Sequence, residues 1–265
     1  MIRKFSLYIS FSAITLAVSS AFAQTTLTSN QAKPKPPITI EAGDFLEWNQ
    51  TDGTYIAKGK AYVEQGSANI RADHIIANYD ANGPSRDLTR IIANGSVVYV
   101  DGDSNASGSK LDYDINAKRY KLTGSKALLT GPKGDMSADK SIIYDFKDSA
   151  QRMIIGTGNA RYENTDGRVI FGDKLVALLD AEGTVQTVEA YDNTKVITAN
   201  GITATADRLD YIASASLANL YGNVEIIDQG NIMRGAKAEI DFDKNISRIL
   251  SNGSEKRVNG LLTPK

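Results

Sequence analysis

The chain has 265 residues, 42% of them apolar and 23% charged, a balance that argues against disorder for its bulk and suits one large all-β domain. A formal net charge of −1, with no basic run, leaves nothing to hold nucleic acid or an anionic membrane surface. Cysteine is absent, which excludes a disulfide framework.

Arg3 and Lys4 precede an apolar and small-residue run over 5–20, and Ala21-Phe22-Ala23 before Gln24 has the A-x-A pattern of a cleavage site. The pattern predicts an export signal over 1–23, removed after Ala23. The run is short and interrupted by serines, which argues against an uncleaved anchor. Loss of Arg3 and Lys4 leaves 28 basic against 31 acidic residues, a net charge of −3. No later apolar stretch is long enough to span a bilayer, so the mature chain is expected to be exported and soluble.

Residues 24–37 (QTTLTSNQAKPKPP) are polar and end in prolines, a flexible lead-in. The ordered domain is expected over 38–258, with a tail at 259–265. It opens on Ile38-Thr39-Ile40, where the preceding prolines favour an edge strand. Phe45, Leu46 and Trp48 follow, and Asn49–Gly53 has a hairpin's Asp-Gly signal.

From Ile56 onward one unit recurs. Each copy has a Gly and, after it, a small–Asp–basic step. The pairs are Gly59/Ala72, Gly95/Gly108, Gly124/Ala138, Gly158/Gly172, Asp192/Ala206 and Gly222/Gly235, separated by 13 or 14 residues. Constant internal spacing with variable linkers marks stacked units that bury one continuous core. The steps read Ala-Asp-His, Gly-Ser-Lys, Ala-Asp-Lys, Gly-Asp-Lys, Ala-Asp-Arg and Gly-Ala-Lys. Alternating rows follow them: Ile75, Ala77, Tyr79; Leu111, Tyr113, Ile115; Ile142, Tyr144, Phe146; Leu175, Ala177, Leu179; Leu209, Tyr211, Ala213; Ala238, Ile240, Phe242. Aspartates and glutamates sit between them, so one strand face is apolar and the other wet. Ser141 is one extra residue in the third copy, which a β-bulge absorbs. Asp192-Asn193 replaces the opening Gly of the fifth, and both residue types tolerate turn conformations. A dozen or more antiparallel strands of about 5–6 residues are expected. Such an array hides its apolar face by folding over like a jelly roll, by closing as a barrel or by winding as a solenoid.

Catalytic and metal chemistry find no foothold. His74 is the single histidine, and it fills the slot that Lys or Arg takes in the other copies. Asp73, Asp139, Asp173 and Asp207 recur only once per repeat, without the nonapeptide of calcium-binding β-rolls. They read as strand-start residues bonded to nearby backbone amides. No enzyme activity, cofactor or metal is expected.

Pro37-Ile38-Thr39-Ile40-Glu41, Gly59-Lys60-Ala61-Tyr62-Val63-Glu64-Gln65-Gly66 and Ile70-Arg71-Ala72-Asp73-His74-Ile75 follow the pattern P-I-x-I-E, G-N-V-x-V-x-Q-G, I-x-A-D-K-V. Gly222-Asn223-Val224-Glu225-Ile226 and Ala138-Asp139-Lys140 repeat parts of it. In these residues the chain resembles the OstA-like family of periplasmic lipopolysaccharide-transport proteins. The resemblance implies an all-β, repetitive, folded-over antiparallel sheet, an open β-jellyroll with an apolar groove. It implies a periplasmic bridge that passes lipopolysaccharide from the inner-membrane transport component LptC to the outer-membrane component LptD. Six copies exceed what the shorter family members hold.

Within that frame Ile38, Val98, Val100, Tyr113 and Ile115 are the expected lipid contacts. Val97-Val98-Tyr99-Val100 is continuously apolar, so its inward parity stays open, whereas Asp112 and Asp114 flank Tyr113 and Ile115 as the wet face. Free first and last strands leave unpaired backbone groups. Ile38, Thr39 and Ile40 at one end, and Ile246 and Ile249 at the other, are the expected docking edges for like-folded partners, including a head-to-tail homo-oligomer. A further closing strand is expected at Ser254–Val258. The alternatives are an exported structural or adhesive β-solenoid with a dry core, and a β-sandwich hydrolase.

Overall fold

The computed structural model describes residues 36–83, 86–251 and 257–263. The expected export signal and all but the end of the lead-in lie outside the described residues, as does most of the expected Ser254–Val258 strand. Eighteen strands form one antiparallel sheet. In chain order they are β1 (Ile38–Glu41), β2 (Phe45–Asn49), β3 (Thr54–Gln65), β4 (Ala68–Tyr79), β5 (Leu88–Asp101), β6 (Ser104–Asp114), β7 (Arg119–Thr123), β8 (Ala127–Thr130), β9 (Asp135–Ala138) and β10 (Ser141–Asp145). Then come β11 (Arg152–Glu163), β12 (Val169–Leu179), β13 (Val185–Ile197), β14 (Thr203–Ile212), β15 (Leu217–Asp228), β16 (Asn231–Asp241), β17 (Ile246–Leu250) and β18 (Asn259–Leu261). The last falls in the stretch expected as tail. A single 3₁₀ turn at Ala213–Ala215 is the helical element among the described residues.

The strands are longer than the repeat suggested. Ten of them run 10–14 residues, because in every copy but the third the opening Gly, or Asp192 in its place, lies mid-strand instead of at a turn. At Gly59-Lys60, Gly95-Ser96, Gly158-Asn159, Asp192-Asn193 and Gly222-Asn223 both residues have positive φ, between +42° and +86°. The ladder slips at each of these pairs. Such left-handed pairs are open to Gly and tolerated by Asn and Asp, which explains the residue types, including Asp192-Asn193. The strand turns a corner there and continues on the other side of the molecule.

The corners divide the sheet into two facing leaves. Leaf one holds β2, β7, β10, β17 and the halves of the long strands paired with them; leaf two holds β1, β8, β9, β18 and the other halves. The corners stack into a spine along one side. The turns of both leaves line a mouth along the other. In the third copy the corner is a break, not a bulge: β7 and β8 are separated around Gly124, and β9 and β10 at Asp139-Lys140.

One apolar cluster fills the space between the leaves. The alternating rows read from the sequence face into it, either buried or packed against it, with Tyr79 buried beside Tyr55 and Trp48 at the end of the first row. The small residue of each step has a packing reason. Ala72, Ala138 and Ala206 are buried at the spine, and a Cβ on Gly108 would lie 2.9 Å from the Thr123 carbonyl oxygen. Strands that approach this closely at the corner admit no larger side chain.

Candidate functional site

The repeated aspartates act on the spine. Asn159 Nδ2 donates to Asp139 Oδ2 at 2.7 Å, Asn193 Nδ2 to Asp173 at 2.9 Å and Asn223 Nδ2 to Asp207 at 2.9 Å. Each aspartate thus grips the corner of the following strand, through a side-chain amide instead of the backbone amides expected. At Gly95 the Asp73 carboxylate occupies the place a Cβ would take. Among the described residues no group of His, Asp and Glu is arranged to hold a metal ion.

The basic slot forms an outer row beside the spine. Register places Lys58, His74, Asn94 and Lys110 side by side on consecutive strands, and later Lys174, Tyr191, Arg208, Tyr221 and Lys237. The cations of Lys174 and Arg208 stand 5.6 and 5.3 Å from the Tyr191 ring centre. His74 is a member of this outward row, remote from the interior.

The interior grades from small residues at the spine to aromatic rings toward the mouth. Tyr99 of leaf two meets Tyr120 of leaf one at 6.0 Å, and Tyr120, Tyr144 and Phe146 pack at 5.3–6.4 Å in edge or tilted arrangements. Burial pushes the Tyr120 and Tyr99 phenols far up and raises Tyr162 to about 12. They are neutral amphipathic rings at any physiological pH. At the centre of the chain the leaves leave a cavity of about 210 Å³, lined from both sides by residues such as Tyr120, Leu129, Met136, Ile154 and Leu179.

In the C-terminal half the mouth is bridged. Arg168, in the turn before β12 on leaf two, donates to the Tyr211 hydroxyl of leaf one at 2.9 Å. Its guanidinium lies 4.8 Å from the Phe242 ring centre and pairs with Asp166. Asn200 Nδ2 of leaf two donates to Asn245 Oδ1 of leaf one at 3.0 Å. In the N-terminal half the aromatic groups bond within leaf one, where Trp48 Nε1 donates to the Tyr79 hydroxyl at 2.9 Å.

Tyr113 and Ile115 pack against the interior. Ile38 shares the inward parity of Ile40 and stands 37% exposed at the rim. Val98 and Val100 are placed differently. On β5 it is Val97, buried, and Tyr99 that face in; Val98 and Val100 have the opposite parity and lie on the outer face. The two-residue corner at Gly95-Ser96 sets that parity. Thr39 and Ile40 lie on β1 and Ile246 and Ile249 on β17; among the described residues β1 pairs only with β3 and β17 only with β16, which leaves an open edge at each end. Exposed large apolar side chains concentrate there: Phe45 46%, Leu46 51% and Trp48 45% on β2, Ile246 51% on β17 and Leu261 59% on β18. Sequence reasoning missed Arg168, Arg152 and the aromatic seam. The ring ending each inward row was the available signal for the seam.

The family described as "LptA/(LptD N-terminal domain) LPS transport protein" matches residues 39–150 and again 147–246. Comparison with curated proteins finds no match. Among solved structures, the chain is similar to the one described as LptH, the LptA homologous periplasmic component of the conserved lipopolysaccharide transport device from Pseudomonas aeruginosa. The identity is 14%, the alignment covers 86% of this chain and 96% of that one, and the TM-score is 0.23. The two family matches together run from β1 to the start of β17, so the chain belongs to the LptA/(LptD N-terminal domain) family of LPS transport proteins.

Proposed function

We propose that the chain works in the periplasm as a bridge in lipopolysaccharide transport, holding acyl chains between its two leaves and docking end to end with like-folded partners such as LptC and LptD. The observation that carries this is one unbroken apolar interior, running through both family matches and ending at two open apolar edges. Each acyl CH₂ removed from water is worth about 0.8 kcal/mol, so such an interior supplies the whole attraction and no catalytic group is needed. The cavity of about 210 Å³ is smaller than the roughly 300–1,000 Å³ of most ligand pockets, so a lipid with several chains enters by parting the leaves at the mouth.

The break in the third copy supports the docking. There β7 pairs with β10 on leaf one and β8 with β9 on leaf two. Split strands of the same placement end the molecule: β17 and β18 follow β16 as β7 and β8 follow β6, and β1 and β2 precede β3 as β9 and β10 precede β11. The chain thus contains an internal pattern of how one end meets another. Carried to the ends, this register sets Ile249 against Leu46 and Arg248 against Glu47 of a following copy. A proline at Thr39, or Leu46→Asp, abolishes assembly followed by sedimentation; unchanged assembly refutes the docking.

A photo-reactive residue at Tyr113 or Ile115, activated in cells, tests the lipid role. An adduct with lipopolysaccharide is expected. The nearly complete burial of the interior favours a second reading, a structural β-solenoid with a dry core, and crosslinks confined to the chain itself would establish it.

A further inference from the structure

We infer that the central cavity is a discrete binding site for one hydrocarbon chain bearing an anionic head group, with Arg152 and Lys133 as the head-group residues. The inference deepens the lipid reading and shares its ligand class, but it concerns one place on the molecule. The cavity lies toward the mouth of the third copy, between the turn at 131–134 on leaf two and the loop before Val185 on leaf one. On the spine side of the same copy, short links at 124–126 and 139–140 join the leaves, instead of strands that turn through the spine. The walls deep in the cavity are apolar and come from both leaves: Tyr120, Leu129, Met136, Ile154, Tyr162 and Leu179. Apart from the tyrosine hydroxyls these walls offer no hydrogen-bonding group, so they suit a hydrocarbon chain and not a charged group.

The rim decides what the chain carries. Lys133 sits in the turn at 131–134, and Arg152 opens β11 across from it. The hydrogen bond that Arg152 makes is a long one, 3.4 Å to the Tyr144 hydroxyl, and no described carboxylate lies within ion-pair distance of it. Two acids also border the cavity. Asp135 accepts the Gly131 N–H at 3.3 Å and so holds the turn, and Glu182 lies on the far loop. The guanidinium therefore keeps most of its donor fork for a carboxylate or phosphate. The C-terminal stretch of the mouth offers no such site, because Arg168 is already bound to Asp166 and Tyr211.

Calorimetric titration of the full mature chain with laurate and with 1-dodecanol, below their aggregation limits, tests the site. Laurate binds the wild-type protein one to one. Ala177→Met fills the cavity and abolishes binding of both ligands. Arg152→Gln alters only a partly exposed rim residue; it weakens laurate by roughly tenfold and leaves 1-dodecanol unchanged. Absence of laurate binding to the wild-type protein overturns the inference, and so does wild-type behaviour of both variants. A lipopolysaccharide adduct at Ile115 without laurate binding removes this site and leaves the transport reading intact.

Discussion

The spine and the mouth are built from the same repeat and obey opposite rules. At the spine, five copies present left-handed corner pairs, each step places a small residue beneath the neighbouring strand, and Asp139, Asp173 and Asp207 grip the next corner. Nothing there has room to change. At the mouth, the copies end in aromatic rings, turns of different lengths and, in the C-terminal half, polar bridges between the leaves. The contrast teaches that the fold is enforced where the leaves are joined, and that traffic into the interior is decided where they are not.

Gly95→Val attacks the spine most directly. A side chain at φ +77° costs roughly 1–2 kcal/mol for the left-handed backbone and adds a collision with Asp73, for a total of about 3 kcal/mol. Urea unfolding measures it; a loss below about 1 kcal/mol would mean the corner relaxes freely.

Alkali attacks the mouth. The folded protein keeps Tyr120, Tyr99 and Tyr162 protonated beyond the pH near 10 at which an unfolded chain releases those protons. The unfolded state therefore binds fewer protons above pH 10, so the stability is intact below that pH and falls as pH rises through the Tyr162 value of about 12. Each such phenol contributes a loss of up to about 1.4 kcal/mol per pH unit in that window. Tyr120→Phe flattens the dependence; an unaltered alkaline profile in that variant contradicts the assignment.

Asp207→Ala removes the grip on Asn223 at an exposed corner and lowers stability by about 1 kcal/mol in thermal melts. Arg168→Gln has the smallest effect on stability, under about 1 kcal/mol, because its ion pair is partly exposed. Its expected signature is faster amide hydrogen exchange in the turns at 198–202 and 242–245, with exchange at the spine unchanged. Equal acceleration at both would erase the distinction between spine and mouth.

Much of this was legible in the residues. Period-2 alternation identified all six inward rows, because a strand with one buried face must alternate. The recurring small–Asp–basic step marked a repeated position, and its spacing of 13 or 14 residues is the length of the chain between successive passes through the spine. Other features were not legible for definite reasons. A Gly followed by Lys, Ser or Asn reads equally as a hairpin turn or a mid-strand corner, since both need positive φ. Choosing the turn made the strands too short and left Val97–Val100 without a parity. The third copy's extra Ser141 suggested a bulge, whereas the structure splits both strands there. Arg168 could not be singled out among 30 basic residues, because its partners Tyr211 and Phe242 are 43 and 74 positions away.

The sequence by itself determined an antiparallel all-β repeat with one apolar face, since alternation and turn chemistry are local properties that each strand carries alone. Only the tertiary structure decided that the strands bend at the spine, which of Val97 and Val98 faces in, where the leaves stay apart to leave a cavity and which cation bridges the mouth. Those outcomes depend on the register between strands and on contacts between leaves, and such distances are set by packing the whole sheet upon itself.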